Sequence, residues 1–156
     1  MKTRSLKLIL PFIFFVSFSA WARSPHIPLA VVQKLNDLYP NARQVTWKDN
    51  NGYEADFVVN NKTGVSMFNE KGELLYSRLT ITTADLPEAV TEQVKEYTAK
   101  GYIVNSVVQR WYKGRNFYEV EVKKGTENYI LHYSKNGKRM GKINKSRLLL
   151  NDKRLK

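Results

Sequence analysis

Residues 43–72 read RQVTWKDNNGYEADFVVNNKTGVSMFNEKG. Val45 and Trp47 alternate with polar neighbours, residues 49–52 have turn composition, and Tyr53, Ala55, Phe57 and Val59 then share one face while Glu54 and Asp56 point the other way. A second turn is expected over residues 60–64, a third strand over 65–68, a third turn over 69–72 and a fourth strand over 73–81. Period-two alternation broken by turn residues predicts an antiparallel meander with an aromatic inner face.

Upstream, Pro28 suits a helix start because its missing N–H would have no partner there. Val31, Val32, Leu35, Leu38 and Tyr39 follow at helical spacing, and Pro40 stops them. Downstream, Asp85 and Glu88 have the spacing of a capping box; Leu86, Ala89, Val90, Val94 and Tyr97 form an apolar stripe, and Gly101 is placed to end the helix. Strands are expected over 103–112, 117–123, 129–133 and 138–144, with turns at 113–116, 124–128 and 134–137.

Tyr53, Phe68 and Gly72 recur as Tyr118, Tyr133 and Gly137, each 65 positions on, and Trp47 recurs as Trp111 after 64, which an extra residue in the second hairpin turn would explain. The prediction is an α+β protein of two tandem modules, each one helix packed on a four-stranded antiparallel sheet. The first spans 23–82 and the second 83–145, followed by a basic tail over 146–156.

The first residues belong to neither module. Lys2, Arg4 and Lys7 precede an apolar run over 8–18, and Ser19-Ala20-Trp21-Ala22 ends with small residues where a signal peptidase reads. A signal peptide over 1–22 is expected, with a periplasmic or secreted mature chain that has no transmembrane segment, since the run is shorter than the roughly 20 residues that span a bilayer. The 156 residues include no cysteine, so no disulfide framework is available. The 26 basic and 14 acidic residues become 23 and 14 after cleavage, a formal charge of +9. Behind a signal peptide, that excess points to anionic envelope components or an acidic protein rather than to nucleic acid.

The helix end Leu38-Tyr39-Pro40-Asn41-Ala42, then Val45-Thr46-Trp47, Tyr53-Glu54-Ala55-Asp56-Phe57, Phe68-Asn69-Glu70-Lys71-Gly72 and Asp85-Leu86-Pro87 resemble the PepSY-like group described as beta-lactamase-inhibitor-like proteins. The resemblance covers essentially the whole mature chain. It implies two helix-plus-four-strand modules whose sheets can join into one curved surface, in small secreted bacterial proteins without an established activity. Inhibitors of beta-lactamase present an acidic loop and aromatic side chains from the concave sheet, and Asp49 is a counterpart in kind to that acid.

No nucleophile elbow, metal-ligand spacing or phosphate-cradling loop is present, so neither catalysis nor a cofactor nor a metal is expected. The pairs Glu54/Asp56 and Glu119/Glu121 share a strand face and read as cross-strand contacts, with Thr46 expected opposite Glu54 and Arg110 opposite Glu119. His132 is expected on the exposed face beside Ile130. The candidate binding residues are Asp49 in the first hairpin turn, then Tyr112, Lys113 and Arg115 at the second, where basic and aromatic side chains meet. Lys142, Lys145, Arg147, Lys153 and Arg154 form a basic C-terminal stretch, read either as an edge that resists strand addition or as a dock for an anionic partner. The expected function is that of an exported, non-enzymatic protein binding an unknown protein partner through its sheet face and hairpin tips; the alternative is an envelope-surface or polyanion binder using the basic end.

Overall fold

The computed structural model describes residues 26–146. The expected signal peptide and Arg147, Lys153 and Arg154 of the tail lie outside the described residues. The elements run α1 (Leu29–Leu38), β1 (Arg43–Asp49), β2 (Tyr53–Val59), β3 (Lys62–Phe68), β4 (Leu74–Ile81), a 3-10 turn (Thr83–Asp85), α2 (Glu88–Ala99), β5 (Ile103–Tyr112), β6 (Arg115–Lys124), β7 (Glu127–Ser134) and β8 (Arg139–Asn144).

The expectation of two four-stranded sheets is overturned. All eight strands form one antiparallel sheet in chain order. β4 and β5 pair along their length, from Tyr76↔Tyr112 to Ile81↔Val107. As the borders of separate sheets, these strands would each leave a row of backbone N–H and C=O groups unpaired. The ladder satisfies them, and α2 closes the connection from above.

Both helices cover the same face. Val31 and Leu35 of α1 pack on Ala55, Phe57, Val59 and Phe68, while Val90, Val94 and Tyr97 of α2 pack on Val107, Tyr118, Val120, Val122, Leu131 and Tyr133. Leu79 on β4 touches both groups, so the apolar layer is continuous across the centre of the sheet. Pro28 and Pro87 precede the helices, and their carbonyls accept the first backbone bonds, from Val31 at 3.0 Å and Val90 at 2.9 Å.

Several local readings also change. The capping acid serves the 3-10 turn: Asp85 Oδ2 accepts from the Thr82 amide at 2.9 Å and the Thr82 hydroxyl at 2.7 Å, and Lys62 holds its other oxygen at 2.5 Å. Glu88 is the first residue of α2 instead of Asp85's partner in a capping box. The second turn is only Asn60-Asn61, both at positive φ, so Val59 pairs with Lys62 and Gly64 lies inside β3. There Gly64 faces Phe57, whose ring occupies the space a side chain would need. The second hairpin turn is Lys113-Gly114, shorter than the first. Its strands are longer instead, 10 residues each against 7 for β1 and β2.

Candidate binding groove on the open face of the sheet

With both helices on one side, alternation sends Glu54, Tyr76, Arg78, Arg110, Tyr112, Phe117, Glu119 and His132 to the other. Register then determines which of them meet. Tyr76 lies opposite Tyr112, Arg78 opposite Arg110, Arg110 opposite Phe117, and Glu119 opposite His132. Their side chains border a groove of about 450 Å³ across β4–β7. Tyr112 is 50% exposed at its rim.

Glu119 is the groove's carboxylate and is already engaged. Arg110 Nε donates to Oε2 at 2.6 Å and Nη2 to Oε1 at 3.3 Å, while His132 Nε2 lies 3.4 Å from Oε2. The Phe117 ring meets His132 edge-on at 5.6 Å, which sets the imidazole's position. Glu119 is thus reached diagonally by Arg110, whose direct neighbour is Phe117, not Glu119 as the sequence led us to expect. Likewise Glu54 faces Lys48, and Thr46 faces Asp56.

At the other end of the groove, the Tyr76 hydroxyl donates to Glu54 Oε2 at 2.7 Å. Burial first, and that bond second, push the phenol up to about 12, so it remains a neutral donor. Lys48 bridges Glu54, at 3.8 Å, and Asp56. Arg78 differs from all of these: it is exposed and its side chain makes no hydrogen bond or ion pair among the described residues.

The structure joins Tyr112, Lys113 and Arg115 into one tip, because Tyr112 pairs with Arg115 and Lys113 Nζ lies 5.2 Å from the Tyr112 ring centre. Asp49 is not part of it. It ends β1 on the helix-bearing face beside a hollow lined by Asn51, Asn69 and Glu70, about four strand spacings (~19 Å) from β5. The basic end is divided between faces. Lys142 pairs with buried Leu131 on the helix side, with Nζ 3.6 Å from the Tyr129 ring centre and 5.5 Å from that of Tyr97. Lys145 donates to Glu121 Oε1 at 2.8 Å on the open side.

Glu121 is a second organised point, 8% exposed. A bulge between Val104 and Ser106 brings Asn105 and Ser106 to its Oε2, each at 3.1 Å, and Asn128 donates to Oε1 at 2.9 Å. Burial pushes this carboxyl up, but the bonds from Lys145, Asn128, Asn105 and Ser106 together outweigh it and hold it at about 2.

Sequence reasoning singled out Tyr112, Lys113 and Arg115 but missed Tyr76 and Arg78. Alternation within 73–81 places both on the open face. Only the β4–β5 register reveals that Arg78 meets a second arginine. No three acidic or histidine side chains gather to hold a metal among the described residues, and no helix there is long and apolar enough to cross a membrane.

The sequence matches no protein-family model and no curated protein. Solved structures with similar folds include three with a TM-score of 0.64 each. One is a BLIP-like protein from Bacteroides fragilis, 23% identical, the match covering 75% of this chain and 85% of that one. A DUF2874 family protein from Bacteroides uniformis is 22% identical, covering 76% and 90%. A protein from Bacteroides eggerthii, provisionally called periplasmic, is 20% identical, covering 79% and 92%. At these identities the likeness is one of fold: this chain has the fold of the BLIP-like and DUF2874 proteins.

Proposed function

We propose that the chain is an exported, non-enzymatic protein that binds another protein, in a capturing or inhibitory role, through the open face of β4–β7 and the Tyr112–Arg115 tip. The observation that carries this reading is the groove itself. Both helices lie on one face of the sheet, and the uncovered face presents Tyr76, Tyr112 and Phe117 around two arginines. Large rings beside guanidinium groups are the side chains that dominate protein interfaces. Glu119 is held by Arg110 and His132, and Tyr76 by Glu54, so the rings and the Arg78 guanidinium are what the groove offers to a partner. Export is supported by the basic, apolar and small-residue order of residues 1–22 and by the provisional periplasmic label of the Bacteroides eggerthii protein. The beta-lactamase-inhibitor-like part of the sequence resemblance agrees with the BLIP-like fold.

Affinity capture from envelope extract at low and high salt, with mass spectrometry of what is held, tests the reading. Tyr112→Ala is expected to reduce capture of the principal partner by about tenfold or more, the size of an aromatic contact near the centre of an interface, with capture surviving high salt. Full capture by Tyr112→Ala, combined with loss on adding salt or on deleting residues 146–156, would instead favour an envelope-surface binder using the basic end. Lys142 and Lys145 are already engaged by Tyr129 and Glu121, so that alternative would rest on Arg147, Lys153 and Arg154.

A further inference from the structure

Arg78 is the unexplained group on the open face. It stands directly opposite Arg110, and like charges in that position repel each other across a strand pair. Arg110 is neutralised by a two-point contact with Glu119. Arg78 has no such partner, and the surrounding acids are committed: Glu119 to Arg110 and His132, Glu54 to Tyr76 and Lys48, Asp56 to Lys48. Arg115, also exposed, adds a further positive charge beside Tyr112. The groove therefore combines aromatic walls with positive charge that nothing in the described chain balances.

Resting on the protein-binding reading above, we infer that this groove recognises an acidic segment of the partner protein, with a carboxylate on Arg78 and an adjacent aromatic or apolar side chain against Tyr76, Tyr112 and Phe117. Charge complementarity selects this occupant. A carboxylate accepts two parallel bonds from a guanidinium, and it would relieve the repulsion between Arg78 and Arg110. A purely apolar segment would cover Arg78 without satisfying its donors, at a cost in desolvation. A basic segment would add a third cation to the pair. The volume of about 450 Å³ suits one or two side chains rather than a folded element.

Fluorescence anisotropy with two labelled, end-capped hexapeptides tests the inference. One alternates glutamate and tyrosine; the other carries glutamine in place of glutamate. The glutamate peptide is expected to bind about tenfold more tightly, the scale of a charge-assisted pair. Arg78→Gln removes that preference and Arg78→Lys keeps part of it, while Lys142→Gln leaves it unchanged. Arg78 is exposed and repels Arg110, so a thermal midpoint no lower than that of the natural protein shows that the variants fold. Equal binding of the two peptides, no binding of either, or an Arg78→Gln protein that retains the preference overturns the inference. If equal binding is weakened for both peptides by Tyr112→Ala, the wider protein-binding reading stands while the acidic partner falls. Binding of phosphatidylglycerol vesicles that depends on Arg78, with neither peptide bound, overturns both in favour of a lipid surface.

Discussion

Gly137→Ala is expected to destabilise the protein by about 3–4 kcal/mol, while Gly114→Ala costs only about 1–2 kcal/mol. The backbone is nearly the same at the two sites, with φ of +75° and +74°. Any L side chain there pays the steric cost of the left-handed region. What differs is the space around them. A Cβ at residue 114 meets nothing within 4 Å, whereas one at residue 137 runs into the backbone carbonyl of Ala89 in the first turn of α2, 2.8 Å from its carbon. A backbone carbonyl has no rotamer to yield with, so the helix must lift from Leu131 and Tyr133 or the turn must open.

Gly72 makes the corresponding approach to Ala30 in α1, with φ +78° and 2.7 Å from a built Cβ to the carbonyl oxygen, so Gly72→Ala is expected to behave like Gly137→Ala. Urea unfolding followed by tryptophan fluorescence measures all three variants. Because β4 and β5 share a ladder and Leu79 belongs to both parts of the core, each variant should shift a single transition. Equal losses at residues 114 and 137, or a separate transition for each half of the sheet, would contradict this account.

Glu121→Gln is expected to make the protein's loss of stability in acid less steep. In the folded chain the Glu121 carboxyl sits at about 2, below its ordinary 4.5. A depressed folded value means that the ionised form stabilises the fold above the unfolded value, and that this contribution disappears as the pH falls through about 2. A shift of this size corresponds to up to about 3 kcal/mol. Denaturant unfolding between pH 6 and pH 2 should therefore show the natural protein losing up to about 3 kcal/mol more than Glu121→Gln. Asp85, also held at about 2, first by Lys62 and then by Thr82, titrates in both proteins and cancels from the difference. Parallel pH profiles would show that the four donors around Glu121 do not hold it ionised. At neutral pH, Glu121→Ala should cost about 2–3 kcal/mol, because Asn105, Ser106 and Asn128 lose their buried acceptor and Lys145 loses its anchor.

Local chemistry made much of the chain legible in its sequence. Period-two alternation placed Ala55, Phe57 and Val59 in the core, and it put His132 beside Ile130 on the open face. Helical spacing identified Val31 and Leu35, or Val90 and Val94, as the buried faces of the helices. Gly52 and Gly101 adopt the positive φ their places in the sequence suggested, since backbone conformation at a turn depends on the residue and its immediate neighbours.

Tertiary structure decided everything that depends on which strand lies beside which. Alternation tells which residues share a face, but it is silent on an edge strand's neighbour, so the joining of β4 to β5 into one eight-stranded sheet was not readable from the sequence. With that pairing came the groove and the meeting of Arg78 with Arg110. Proximity along the chain likewise suggested a basic cluster at the C-terminal end, where the sheet separates Lys142, over the Tyr129 ring, from Lys145, on Glu121 at the opposite face. Charges close in sequence were divided by the pleat, and charges distant in sequence were brought together by register; the candidate site is a product of that second step.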